Sequence, residues 1–215
     1  MLVRVGQEVQ EVPRRLAVGG ADAQRPPTPD HAWARPPSLS DGVVRLEPLE
    51  ARFGPELAGV VLDPDIVRFT RLPTRPGEGF VEGWLSRYER GWEDGSRAGF
   101  AIVADDGNDD GALLGFMALI RIDWDALEAE VGYLLAPAAR GRGLAGRALE
   151  LLSRWALDAL GLVRLEAWID TENGASLRVA ERAGYTREGV RRSTHFKAGR
   201  RVDMAIYSLL AGELA

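Results

Sequence analysis

The feature that most restricts the fold is a periodic segment at residues 143–160. Leu144, Ala148, Leu151, Leu152, Trp155 and Ala159 recur along one helical stripe, with Arg147, Glu150, Arg154 and Asp158 along the other. A helix of this kind must bury its apolar stripe against another layer. Gly161 stops it, and strand-like runs flank it at 129–135 and 163–169. A helix joining two central strands calls for a sheet-and-helix architecture.

The remaining pattern fills in that architecture. Strand-like runs lie at 43–49, closed by Pro48, and at 100–104 and 113–122, the last two joined by the hairpin loop Gly107-Asn108-Asp109-Asp110-Gly111. Helical segments are expected at about 50–62 and 77–93, the second carrying Phe80, Trp84, Leu85, Tyr88 and Trp92 at helical spacing, which reads as core packing. A short helix at 173–183 ends at Gly184, and two final strands lie near 185–191 and 201–210. The expected class is therefore α+β (mixed α/β), a mostly antiparallel sheet flanked by helices. Residues 1–40 hold 6 of the 12 prolines and, apart from Trp33, little to bury. They read as a proline-rich arm ahead of one domain at 41–215.

Composition removes several function classes. The 215-residue chain has no cysteine and only two histidines, His31 and His195, which excludes thiolate chemistry and a histidine-rich metal site. No metal is expected. Its net charge of −5 argues against a nucleic-acid binder, which needs clustered positive charge. No run approaches the ~18 apolar residues of a membrane span, and the N-terminus lacks the apolar core of a signal peptide. The expectation is a cytoplasmic protein without membrane or nucleic-acid partners, as a monomer or homodimer.

Arg140-Gly141-Arg142-Gly143-Leu144-Ala145-Gly146 lies between a strand and the start of the long helix. Glycines there let backbone N–H groups converge on an anion, and arginines add charge-assisted bonds to phosphate. A nucleotide P-loop is excluded, since no Gly-Lys-Ser/Thr follows. The glycine spacing of a dinucleotide fingerprint is present, but the strands before it form an antiparallel meander rather than βαβ repeats.

Several stretches in order resemble one family: Glu130-Val131-Gly132-Tyr133-Leu134-Leu135-Ala136-Pro137, the glycine turn, Asp170-Thr171-Glu172-Asn173-Gly174-Ala175-Ser176, Ala183-Gly184-Tyr185 and Glu188-Gly189. Together they are similar to the GNAT superfamily of N-acetyltransferases, in the branch of the RimJ/RimL ribosomal-protein N-terminal acetyltransferases, over about residues 42–210. The resemblance implies a sheet splayed between its fourth and fifth strands and acetyl-CoA as co-substrate. The pantetheine arm would meet freed backbone groups of Leu134, Leu135 and Ala136, and the pyrophosphate would sit on Arg140, Gly141, Arg142, Gly143, Leu144, Ala145 and Gly146. Asn173 would help hold the cofactor.

The reaction so implied is acetyl transfer to an amine, from a protein N-terminus or a small molecule. Many members place a tyrosine seven residues past the asparagine to protonate the thiolate; Ala180 stands there in this chain. The RimL-like branch instead has a serine three residues past it, which makes Ser176 the candidate for a bond to sulfur, with helix capping as its alternative role. Glu130 and His195 are the candidates for handling the amine's proton, His195 by its expected place in the loop between the last two strands. The acceptor is expected between residues 68–93 and 193–201, with Trp84, Trp124 and Asp125 bordering it. Two other functions remain open: an antibiotic, polyamine or amino-acid acetyltransferase, and a non-catalytic acyl-CoA-binding regulatory module.

Overall fold

The computed structural model describes residues 36–105, 111–197 and 199–214. Trp33, most of the proposed arm and most of the hairpin loop expected at 107–111 lie outside the described residues. The elements are β1 (Leu39–Ser40), β2 (Val44–Pro48), α1 (Gly54–Val60), α2 (Pro64–Phe69), α3 (Phe80–Glu93), β3 (Ala98–Ala104), β4 (Leu113–Asp123) and β5 (Glu128–Leu135). They continue with α4 (Leu144–Arg154), β6 (Arg164–Asp170), α5 (Gly174–Arg182), β7 (Thr186–Lys197) and β8 (Arg200–Leu210). The strands form one sheet in the order β1-β2-β3-β4-β5-β6-β8-β7, and every neighbouring pair is antiparallel except β5 with β6.

Four expectations need adjustment. The end of the arm belongs to the sheet, because Leu39 and Ser40 pair with Leu46 and Arg45. The single helix expected at 50–62 ends at Val60, and a second begins at Pro64, where the Asp63 side chain accepts from Ile66 N–H. An aspartate cap followed by proline at the first helical position favours a new start there. The long helix α4 closes with a π turn at Trp155–Ala159 before Gly161. Strand β7 runs six residues past its expected end, so His195 is not in a loop but opposite Val202 in the hairpin; a register shift between Arg191 and His195 absorbs the irregular residues between them.

Both faces of the sheet are covered. On one face α3 lays Trp84 and Tyr88 against Phe116, with ring centroids 4.7 and 5.0 Å apart. On the other, Leu149, Leu152 and Trp155 of α4 pack with Phe100, Met117 and Leu119 of the sheet. The apolar stripes therefore do what their spacing dictated, each such buried side chain contributing about 1.5–3 kcal/mol of transfer free energy. The site arises where the sheet opens. The β5–β6 ladder runs from Glu128 opposite Arg164 to Val131 opposite Ala167 and then stops. Beyond it, Gly132–Leu135 pair only with β4, and Trp168–Asp170 only with β8.

Candidate active site

The opening between β5 and β6 leads into a cleft of about 800 Å³ that passes through the sheet, from Phe80, Trp84 and Tyr88 on the α3 face to Leu149 and Ala180 on the other. This is the size range of a cofactor or substrate site. The edge of β5 supplies its backbone groups. Ala136 N–H donates to Leu114 O at 2.9 Å, so Ala136 turns its donor toward β4 rather than into the gap. Ladder bonds alternate along an antiparallel pair, and the register places Leu134 with Ala136 on the β4 side. The edge groups on the open side are those of Tyr133 and Leu135. Leu135 O takes only a long bond from Arg140 Nε, at 3.3 Å.

At the far end of β5 the chain turns through Gly141 (φ 74°) and Gly143 (φ 76°) into α4. A Cβ built on either glycine meets nothing within 4 Å, so the cradle is open. The first helical bond of α4 is from Arg147 N–H to Gly143 O, which leaves Leu144, Ala145 and Gly146 N–H without helical acceptors. The side chains of Leu144 and Ala145 are core groups, and only their backbone faces the turn. Arg140, expected to hold phosphate, is committed elsewhere: its guanidinium joins Asp63 and Asp65 and ties α2 to this turn. Burial pushes the Asp63 carboxyl up, but Arg140 and the Ile66 N–H outweigh it and hold the group below its ordinary value. Arg147 is likewise paired, with Asp41 at 2.7 Å. Arg142 is the exposed arginine of this turn that no carboxylate engages among the described residues.

On the other wall, Asn173 caps α5 by accepting from Ser176 N–H at 3.1 Å. The cap is thus the asparagine, and the Ser176 hydroxyl is left for the cleft. Next to it stands Tyr133, which sequence reasoning passes over. Its phenol oxygen is buried beside Ser176, meets no group in hydrogen-bond geometry, and is pushed up to about 12 by burial, with Ser176 pulling the other way. Ala180 is buried in the cleft wall, with no group to donate.

Toward the α3 face, Arg71 joins the two candidate proton carriers. Its Nη2 donates to Glu130 Oε1 at 3.0 Å and lies 3.1 Å from His195 Nε2. Glu130 is nearly buried, Arg71 half exposed. Because arginine only donates, His195 Nε2 accepts and Nδ1 carries the ring proton. Burial, then the charges of Arg71, Lys197 and Arg191, keep the His195 pKa below 6.5. Lys197, the sole lysine of the chain, lies 3.8 Å from Asp170, and burial lowers its pKa as well. Arg71 is legible in the sequence only as one arginine among many, since nothing around it marks the residue 59 positions away that it reaches. Of the aromatics expected near the acceptor, Trp84 lines the cleft, whereas Trp124 packs against the core and donates to Gly95 O at 2.8 Å.

With this geometry in view, comparison with known proteins is informative. The family model described as "Acetyltransferase (GNAT) domain" matches residues 44–186. The chain belongs to the GNAT acetyltransferase family. A protein of Bacillus subtilis (strain 168) named "Putative ribosomal N-acetyltransferase YdaF" is 34% identical over 104 residues, which span 48% of this chain and 57% of that one. The chain thus matches little more than half the length of this relative. Among solved structures, an acetyltransferase from T. thermophilus is 30% identical, with a TM-score of 0.68 over 84% of this chain and 93% of that one. The spermidine N-acetyltransferase from Vibrio cholerae, solved with CoA and spermine, shares the fold at 18% identity, with a TM-score of 0.70 over 80% of this chain and 98% of the other. Among the described residues no helix is long and apolar enough to cross a membrane.

Proposed function

We propose that the protein is an acetyl-CoA-dependent N-acetyltransferase acting on a primary amine, either the α-amine of a protein or that of a small molecule. One observation carries this reading. The β5–β6 ladder ends at Val131 and Ala167, and the cleft it opens connects an anion cradle at α4 with a proton-handling cluster at Glu130, Arg71 and His195. The residues present fit acetyl-CoA. Open space at Gly141 and Gly143, unpaired N–H groups at Leu144, Ala145 and Gly146, and the Arg142 charge suit its pyrophosphate. Edge groups of Tyr133 and Leu135 suit its pantetheine amides, and Asn173 shapes the wall beside them.

When bound, acetyl-CoA supplies an activated acyl carbon. The amine nitrogen forms a bond to that carbon, the carbon–sulfur bond breaks, and the sulfur leaves with the electron pair. An N–H on the β5 edge polarises the carbonyl as charge builds on its oxygen. The Ser176 hydroxyl and the Tyr133 phenol donate toward the leaving sulfur, the phenol staying neutral because its pKa is near 12. An ammonium must first lose a proton. Arg71 engages Glu130 Oε1, leaving Oε2 to accept from the amine, while His195, neutral at pH 7, takes the proton once Arg71 releases Nε2. Each turnover of a neutral amine yields one amide and one thiol; an ammonium releases one further proton to solvent.

Acetyl-CoA consumption against a panel of α-amines, polyamines and aminoglycosides tests the proposal. Thiol release dependent on one amine class is expected. Acetyl-CoA binding with no turnover on any amine would replace the enzyme with an acyl-CoA-binding module.

A further inference from the structure

We infer that the acceptor is an α-amine with a carboxylate close beside it, the chemistry shared by an acidic amino acid and an acidic peptide N-terminus. This rests on the acetyl-transfer reading above and names its substrate class. The chain carries a net charge of −5, yet its cleft is lined by Arg71, Arg87, Arg97, Arg121 and Lys197 against two carboxylates, Glu130 and Asp170. Both carboxylates already face cations, Arg71 at 3.0 Å and Lys197 at 3.8 Å. Arg87, Arg97 and Arg121 meet no carboxylate within ion-pair distance among the described residues. Three uncompensated guanidiniums at the mouth of one cleft in an acidic protein favour an anionic group on what enters.

The phosphates of acetyl-CoA do not account for them. The cradle follows Leu135 at one end of β5, whereas Arg121 stands opposite Glu130 near the other. Five residues of strand separate those positions, about 17 Å at ~3.4 Å per residue. Arg97 precedes β3 at the same end, where Ala98 pairs with Leu119, and Arg87 and Arg97 both act on the phenol of Tyr88. These cations lie on the acceptor side of the opening. Tyr88 itself, pushed up to about 12 chiefly by burial, supplies no countercharge.

Amine chemistry points the same way. An α-amine has a pKa of about 7.7–8.0 and a lysine-like alkylamine about 10.4. At pH 7.5 roughly a third of the former is neutral and nucleophilic, and roughly one in a thousand of the latter. Positive surroundings disfavour the ammonium form, which helps an α-amine across a small gap and repels a polyamine outright.

The test is steady-state kcat/KM on alanyl-glutamate, alanyl-alanine and alanyl-lysine amides, free glutamate and spermidine. It is paired with calorimetric binding of the N-acetylated dipeptides to the CoA-saturated protein. We expect alanyl-glutamate amide to exceed alanyl-lysine amide by about fivefold or more per guanidinium engaged, the scale of a charge pair at ~4 Å in a near-aqueous mouth. Added salt should shrink the difference. Arg87→Glu with Arg121→Glu should invert the ratio and Arg121→Lys should preserve it; because a ratio is read, general loss of activity cancels. If charge reversal compromises folding, Arg121→Gln should still narrow the ratio. Equal or greater activity on alanyl-lysine amide or spermidine, or a ratio indifferent to these changes, overturns the inference. Preferential binding of acetylated alanyl-glutamate amide without any turnover would refute the enzyme reading and uphold the anion site. Absence of both refutes the site. Free glutamate outperforming the peptide would mark the amino acid as the source, and the reverse the peptide.

Discussion

Gly143→Val separates backbone strain from ligand exclusion in the cradle. Gly143 sits at φ 76°, in the left-handed region, and a Cβ there meets no protein atom within 4 Å. The folded protein therefore suffers no clash, only the conformational cost of a β-branched residue in that region, about 1–3 kcal/mol. For a chain of this size that is a fall in Tm of roughly 2–12 °C. Gly161 is a matched control: it has φ 71°, equally open surroundings, and a place at the other end of the same helix, away from the cleft. Gly161→Val should cost the same stability. Only at position 143 does the new side chain project into the space that the pyrophosphate requires. Charge-assisted hydrogen bonds contribute about 1.5–3 kcal/mol each, so losing one or two should raise the Kd for acetyl-CoA by about 10- to 1,000-fold. Calorimetric titration with acetyl-CoA, beside thermal unfolding of both variants, reads the two effects separately. Wild-type affinity in Gly143→Val, with destabilisation equal to that of Gly161→Val, would refute the placement of the phosphates.

The two arginines of the same turn should part company: Arg140→Ala is expected to lower Tm by loosening α2 with little change in acetyl-CoA affinity, whereas Arg142→Ala should weaken binding most at low salt and leave Tm unchanged. Ser176→Ala and Tyr133→Phe should each lower kcat by about 10- to 10²-fold with acetyl-CoA Kd preserved, because the Asn173 cap survives both; stopped-flow thiol release checks this, and an unchanged kcat in both would remove them from the sulfur. His195 has a folded pKa depressed below 6.5, so the unfolded chain takes its proton first, and its contribution is present above pH 6.5 and lost as pH falls through the folded value. His195→Gln should therefore flatten the fall of Tm over that acid range, and if His195 is the base it should also remove the acid limb of kcat/KM, which Glu130→Gln would leave in place.

Much of the architecture is legible in the sequence because it rests on local periodicity. The stripe at 144–159 has to bury against a sheet, the aromatics of 80–92 have to find a core, and glycines at 141 and 143 before a helix announce converging backbone donors. Residue type and spacing alone settle such matters, since the period of side chains along one element is a property of its backbone geometry. The Asp63-Pro64 helix start is written just as locally, but it hides within a longer helical run. The extension of β7 past Arg191 is not local: its residues pair through a register shift with a strand that only the hairpin brings alongside.

The assignments inside the site belong to tertiary structure. No spacing tells that Arg140 is drawn to Asp63 and Asp65 instead of remaining for phosphate, because those carboxylates lie more than seventy residues upstream. Nor does it tell that one guanidinium, from Arg71, lies between Glu130 and His195, two residues that sequence reasoning treats as rivals. The buried phenol of Tyr133 and the unpaired arginines at the cleft mouth are of the same kind. Charge and hydrogen-bond partnerships depend on distances between atoms of separate elements, falling with separation and with exposure to water. The linear order of residues sets the inventory of such groups; only the packed chain decides which of them meet.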